Sequence, residues 1–180
     1  MSLTGVLARL IPDRWRRRPE TPSVVMLLRK ENHPSEEVLR LAAERAWGIR
    51  FEGGEDSAHF VMQNGDICVM KAGPFMLTVV SSPKPYFDRD PAKLAAEWLP
   101  QPSQRSAWSE HTAWTAINWL AGAEGDTELV YCVLTKLAAE LLNANCAGIY
   151  WPRERSFGPN DGSTYEDLQK LAGSRDPGIR

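Results

Sequence analysis

His111-Thr-Ala-Trp-Thr-Ala-Ile-Asn-Trp-Leu120, then Asp126-Thr-Glu-Leu-Val-Tyr-Cys-Val-Leu-Thr-Lys-Leu-Ala-Ala-Glu-Leu141, then Cys146-Ala-Gly-Ile-Tyr-Trp151 are the three pieces that decide the fold. The first is rich in β-branched and aromatic residues and reads as a strand. In the second, Val130, Val133, Leu134, Leu137, Ala138 and Leu141 recur at helical spacing, the clearest periodicity in the chain. Asp126 or Thr127 caps this helix, and Asn143 and Asn145 end it. The third piece is a short apolar run of strand length. Together they predict one strand–helix–strand unit.

The same order occurs earlier. Val24–Leu28 is an unbroken apolar run that reads as a buried strand. Ser35 then caps a helix whose positive end carries Glu36 and Glu37. Its apolar face is Leu39, Ala42, Ala43 and Ala46, and Gly48 is placed to stop it. A meander follows. Ala58–Met62 and Ile67–Ala72 flank Asn64-Gly65, a hairpin signal, and Gly73-Pro74 turns the chain into Phe75–Ser81.

Between the two units lies a Pro-broken stretch. Asp90-Pro91 starts a short helix ending near Leu99, and Gln101–Ser109 reads as loop. Beyond Trp151 come a polar loop, a Ser163-x-x-Glu166 capping box for a short helix, and a frayed tail after Gly173. The duplicated pattern predicts an α+β domain over residues 21–175, with halves at 23–81 and 108–160. Its architecture is a ferredoxin-like, mainly antiparallel sheet enlarged by the meander, with right-handed crossovers and the helices on one face. Most strands lack clean apolar–polar alternation, so the other face is expected to be covered as well. The loop of residues 82–109, the N-terminal helix or a second subunit are the candidates.

Composition narrows the function. The chain has 180 residues, 43% apolar and 24% charged, with net charge −2. That excludes wholesale disorder and gives no overall attraction to nucleic acid. The basic residues concentrate in an N-terminal arm, residues 1–20, with Arg9, Arg14, Arg16, Arg17 and Arg18 beside the helical pattern Leu3, Val6, Leu7, Leu10, Ile11. Met1–Arg18 does not read as a secretory leader, and no run approaches the roughly 18 apolar residues of a membrane span. Cys68, Cys132 and Cys146 are odd in number and widely spaced, which suits reduced thiols in a cytoplasmic protein.

No catalytic set is legible. The chain has no phosphate loop, no nucleophile elbow and no short metal-ligand spacing among His33, His59 and His111. No cofactor and no metal are expected. The richest constellation is aromatic: His111, Trp114, Trp119 and Trp151, with Arg153 beyond the last strand as a grip for an anionic or acidic partner. Strand alternation puts His111 on the face of Ala113 and Ile117, and Trp114 on the other. One reading makes these residues the surface of a non-enzymatic binding or protein-interaction module that self-associates, since Trp and Arg are enriched at interface centres. The other makes them the aromatic pocket of a small-molecule enzyme. In either case the expected partner is a second copy or another protein, with no nucleic acid and no integral membrane association.

Glu110-His-Thr-Ala-Trp-Thr-Ala-Ile-Asn-Trp-Leu120, Val133-Leu-Thr-Lys-Leu-Ala-Ala-Glu-Leu-Leu142 and Cys146-Ala-Gly-Ile-Tyr-Trp-Pro152 resemble the bacterial family catalogued as domain of unknown function 4261. The resemblance covers about residues 100–160. It implies no activity, so it carries over no catalytic residue.

Overall fold

Strand β1 (Ser23–Leu28) is buried along its whole length because it lies inside a sheet covered on both faces. The computed structural model describes residues 21–179 apart from Gly53, Glu55, Asp56, Asp88, Ala123 and Glu124. The N-terminal arm, with its helical pattern and basic cluster, lies outside the described residues.

After β1 come α1 (Glu36–Trp47), β2 (His59–Asn64), β3 (Ile67–Ala72) and β4 (Phe75–Ser82). Two short helices follow, α2 (Pro91–Trp98) and α3 (Pro102–Ser109). The chain closes with β5 (Ala113–Ala121), α4 (Thr127–Leu141), β6 (Cys146–Trp151), β7 (Ser156–Pro159) and α5 (Thr164–Ala172). Among the described residues this is an α+β fold with one seven-stranded sheet, ordered β2-β3-β4-β5-β1-β6-β7. Every neighbouring pair is antiparallel. The two strand–helix–strand units are placed differently. The β5–α4–β6 crossover spans one strand, β1, whereas β1–α1–β2 spans β5, β4 and β3.

Local signals act as read. Ser35 Oγ accepts from the Val38 amide, and Gly48 ends α1 in the left-handed region at φ 69°. Asp126 caps α4 by accepting from the Leu129 amide. Val24, Met26 and Leu28 point into one core with Leu39, Ala42 and Ala43 of α1 and Val130, Val133, Leu134 and Leu137 of α4. Val25 and Leu27 point into a second core on the opposite face, with Ala95, Leu99, Ala107 and Trp108.

That second core corrects the expectation of helices on one face. Helices α1, α4 and α5 share one face, and α2 and α3 cover the other. Residues 102–109, read as loop, are α3. Pro102 stands at its start, where a missing amide costs nothing, and Ala107 and Trp108 supply its buried side. The sequence of α3 is too short and polar to show a helical stripe, so its helix depends on packing. The polar loop after Trp151 also contains β7. Gly148 lets β7 come close, because a methyl group there would sit 2.4 Å from the Phe157 ring.

The end of the chain departs from its reading too. Ser163 makes no side-chain cap to α5; its hydroxyl donates to Asp161 Oδ1 instead. The tail after Gly173 is held by an Arg175–Asp126 ion pair at 2.7 Å and by Ile179 against the first core.

Candidate functional site

His111 precedes β5, and this decides its surroundings. Because the strand begins at Ala113, strand alternation does not govern the His111 ring. The ring lies against Trp108, on the face opposite Ala113 and Ile117. It is 2% exposed. The Tyr86 amide donates to Nε2 at 3.3 Å, and Nδ1 bonds the Trp108 carbonyl. An amide on one nitrogen and a carbonyl on the other assign the neutral tautomer with its proton on Nδ1. Both ring nitrogens are thus engaged by backbone. Burial pushes the ring below its usual range, opposed by the Trp108 carbonyl. Glu110 is turned away, paired with Arg29 at 2.8 Å.

Around His111 the second core is aromatic and closed. Trp108 is fully buried, stacked on Phe87 and edge-on to Trp98, Tyr150 and Phe157. Trp114 joins this cluster through Tyr86. Trp119 and Trp151 do not. They pack on the first core, Trp119 against Phe75. The four aromatic candidates are therefore split between the two faces of the sheet and do not line one pocket. Arg153 donates from Nη1 to Thr127 Oγ1 at 3.1 Å, beside the start of α4.

The three cysteines are free and buried. Burial pushes the Cys68 thiol up to about 11 and the Cys146 thiol up to about 12, so neither supplies a thiolate near neutrality. Among the described residues, no three His, Cys, Asp or Glu side chains are grouped to hold a metal. No described helix is long and apolar enough to cross a membrane.

The sequence reading missed the feature that best distinguishes this surface. One row of register partners runs across the second face: Ile67, Val80, Ala116, Val25, Tyr150. Ala116, Val25 and Tyr150 are buried beneath the aromatic cluster, while Ile67 is 46% exposed. The adjoining row contains Met62, Val69, Thr78 and Asn118. Met62, Val69, Met76 and Val80 are only partly buried, and Leu120, at the end of β5, is 55% exposed. Among the described residues, helices α2 and α3 cover one half of this face; in the other half, formed by β2, β3, β4 and the end of β5, Ile67 and Leu120 are exposed while Phe60, the register partner of Lys71, is buried. The signal in the sequence was the missing alternation in β3 and β4; what it could not show was where the cover stops.

Both sheet edges carry side-chain blocks. The Gln63 amide of β2 donates to Glu36 Oε2 and the His59 amide to Ser57 Oγ. At the other edge, Phe157 O of β7 accepts from Gln104 Nε2. Such contacts oppose strand addition at these edges.

No family model, no curated protein and no solved structure matches the chain.

The His111 geometry gives a pH expectation. A histidine with a lowered folded-state pKa stabilises the protein above its unfolded value of about 6.5, and that contribution is lost as pH falls. Urea unfolding from pH 7.5 to 5 should show stability falling more steeply in wild type than in His111→Asn. At pH 7.5 the substitution should itself cost about 1–3 kcal/mol, because it disturbs two buried backbone partners. Equal slopes in the two proteins would show that His111 titrates alike folded and unfolded.

Proposed function

We propose that this chain is a non-enzymatic interaction module that self-associates through the open half of its sheet, in the cytoplasm. One observation carries the reading: the apolar row on the second face is sealed at Ala116 and Val25 but open at Ile67, with Leu120 exposed beside it. Among the described residues of β2–β5 on that face, only Lys71 is charged, so two copies can meet without strong repulsion. Stacked sheet faces pack about 10 Å apart. Three to four strands of about 20 Å offer on the order of 400 Å² per copy, about 800 Å² in total, which is below the standard size of a specific interface and in the range of weak, transient contacts. A weak, concentration-dependent dimer follows.

The closed aromatic cluster supports this reading over the enzyme. His111, Trp114, Trp119 and Trp151 do not converge, and both His111 nitrogens bind backbone. The resemblance to domain of unknown function 4261 belongs to the same proposal. So does a ferredoxin-like origin for the sheet, in which β6-β1-β5-β4 is the original unit and β2–β3 an addition.

Sedimentation equilibrium tests the proposal. The wild-type average mass should rise from 20.2 kDa toward twice that value as concentration increases. Ile67→Lys with Leu120→Lys should remain monomeric throughout and keep the wild-type unfolding midpoint, since both sites are exposed. A wild-type protein that stays monomeric to about 1 mM, or a double variant that associates equally well, would overturn it.

A further inference from the structure

On the face of the first core, opposite the side that carries Ile67, α5 and the β6–β7 edge form a cleft of ≈ 190 Å³. Its walls include Ile149 and Trp151 of β6 and Leu168 and Leu171 of α5. Leu171 is 48% exposed, so the cleft has an apolar lip as well as an apolar floor. The charged residues lining it are Asp161 and Asp167. Asp161 takes hydrogen bonds from the Ser163 amide and hydroxyl and from the Thr164 hydroxyl, all at Oδ1. These bonds, the Ser163 hydroxyl foremost, hold the Asp161 carboxyl below the usual carboxylate range, so it is anionic at neutral pH. Asp167 is met by Lys170 at 3.3 Å, an exposed pair of little strength that a better partner displaces.

We propose that this cleft receives an arginine side chain from an arginine-rich protein segment. Drug-sized ligands fill pockets of about 300–1,000 Å³, so a cleft of this size suits one side chain. An arginine matches it in three ways. Its aliphatic stem suits the Leu168 and Leu171 walls. Its planar cation stacks on an indole such as Trp151. Its fork of donors suits carboxylates at the rim. A neutral apolar side chain would satisfy the walls but offer no charge to the Asp161 carboxylate, which forms no ion pair among the described residues, and none to displace Lys170 from Asp167. Arg14-Trp15-Arg16-Arg17-Arg18 is a segment of this chemistry within the chain itself. The proposal does not depend on self-association, because the cleft lies on the other sheet face.

The test is a titration of the full ¹⁵N-labelled chain with a blocked peptide of residues 13–19, followed by NMR. The amides of Gly158, Ser163 and Thr164 and the Trp151 indole should shift saturably. A peptide with Gln for Arg should not shift them, and raised salt should weaken the effect. If the chain's own segment already fills the cleft, replacing Arg14, Arg16, Arg17 and Arg18 by Gln will move the same resonances before peptide is added. Asp161→Asn with Asp167→Asn should weaken peptide binding on the order of tenfold. Leu171→Lys, at an exposed site that tolerates it, supplies a competing cation and should weaken binding without touching the Asp161 turn. The proposal is overturned if neither peptide nor arm substitution moves the cleft resonances, if the Gln peptide binds equally, or if Leu171→Lys leaves the affinity unchanged.

Discussion

Trp108→Ala is expected to cost about 3–5 kcal/mol, the range for truncating a fully buried large aromatic side chain. Trp108 is 0% exposed and touches rings from four directions of sequence: Phe87, Trp98, Tyr150 and Phe157, with His111 beside them. Tyr150 and Phe157 belong to the sheet, while Phe87 and Trp98 belong to the segment that covers it. Removing the indole therefore weakens the attachment of α2 and α3 as well as leaving a cavity. One term works the other way. The Trp108 indole N–H is buried with no hydrogen-bond partner, and an unpaired buried donor is itself costly.

Trp108→Phe separates these effects. It keeps an aromatic ring in the cluster and deletes the unpaired donor, so it should cost less than about 2 kcal/mol. Urea unfolding gives both values. Hydrogen exchange adds location: in Trp108→Ala the amides of α2 and α3 should exchange faster, while those of α4 keep their protection. A cost for Trp108→Ala below about 1 kcal/mol would mean that the aromatic cluster does not anchor this half of the fold.

Much of the fold is legible because its signals are local. Val24–Leu28 is a short apolar run, α4 carries a continuous helical stripe, and Asn64-Gly65 joins two strands of similar length. These features act through backbone geometry and burial within a few residues. The cover on the second face is different. Pro83, Pro85, Pro91, Pro100 and Pro102 break the segment into pieces too short for periodicity, and α3 shows no apolar stripe. Its helix is fixed by Trp108 meeting Tyr150 and Phe157, partners about 40–50 residues away, and no local rule reaches that far.

The candidate site was legible in part. An aromatic concentration around residues 108–119 and 150–151 was visible, but its division between two faces depended on where β5 begins. Counting alternation from His111 placed that ring one face off, because strand geometry starts only at Ala113. The open half of the sheet and the Trp151 cleft are differences in coverage between similar-looking stretches. Coverage is decided by tertiary packing, so composition and periodicity leave it unstated.

Leu137→Ala tests the other core and should cost about 2–5 kcal/mol. Leu137 sits in the middle of α4, 0% exposed, in the cluster that joins β1, β5 and β6 to α1 and α5. Helix propensity does not explain such a loss, since Ala is the better helix former. The cost arises from the buried methyl groups removed and from the cavity that neighbouring side chains cannot fill. Its size within the range reports how far α4 can settle toward the sheet. Helix α4 is held on its other sides by α1, through an Arg45–Glu140 ion pair, and by α5, where Leu168 is buried. Little settling is therefore expected, which favours the upper half of the range. Leu137 and Trp108 lie on opposite sheet faces and share no partner, so the double variant should lose the sum of the two costs within about 0.5 kcal/mol. A Leu137→Ala cost below about 1 kcal/mol would place the α4 stripe at the surface. A double variant departing from additivity by more than about 1 kcal/mol would show that the two cores communicate through β1, whose alternate residues enter both.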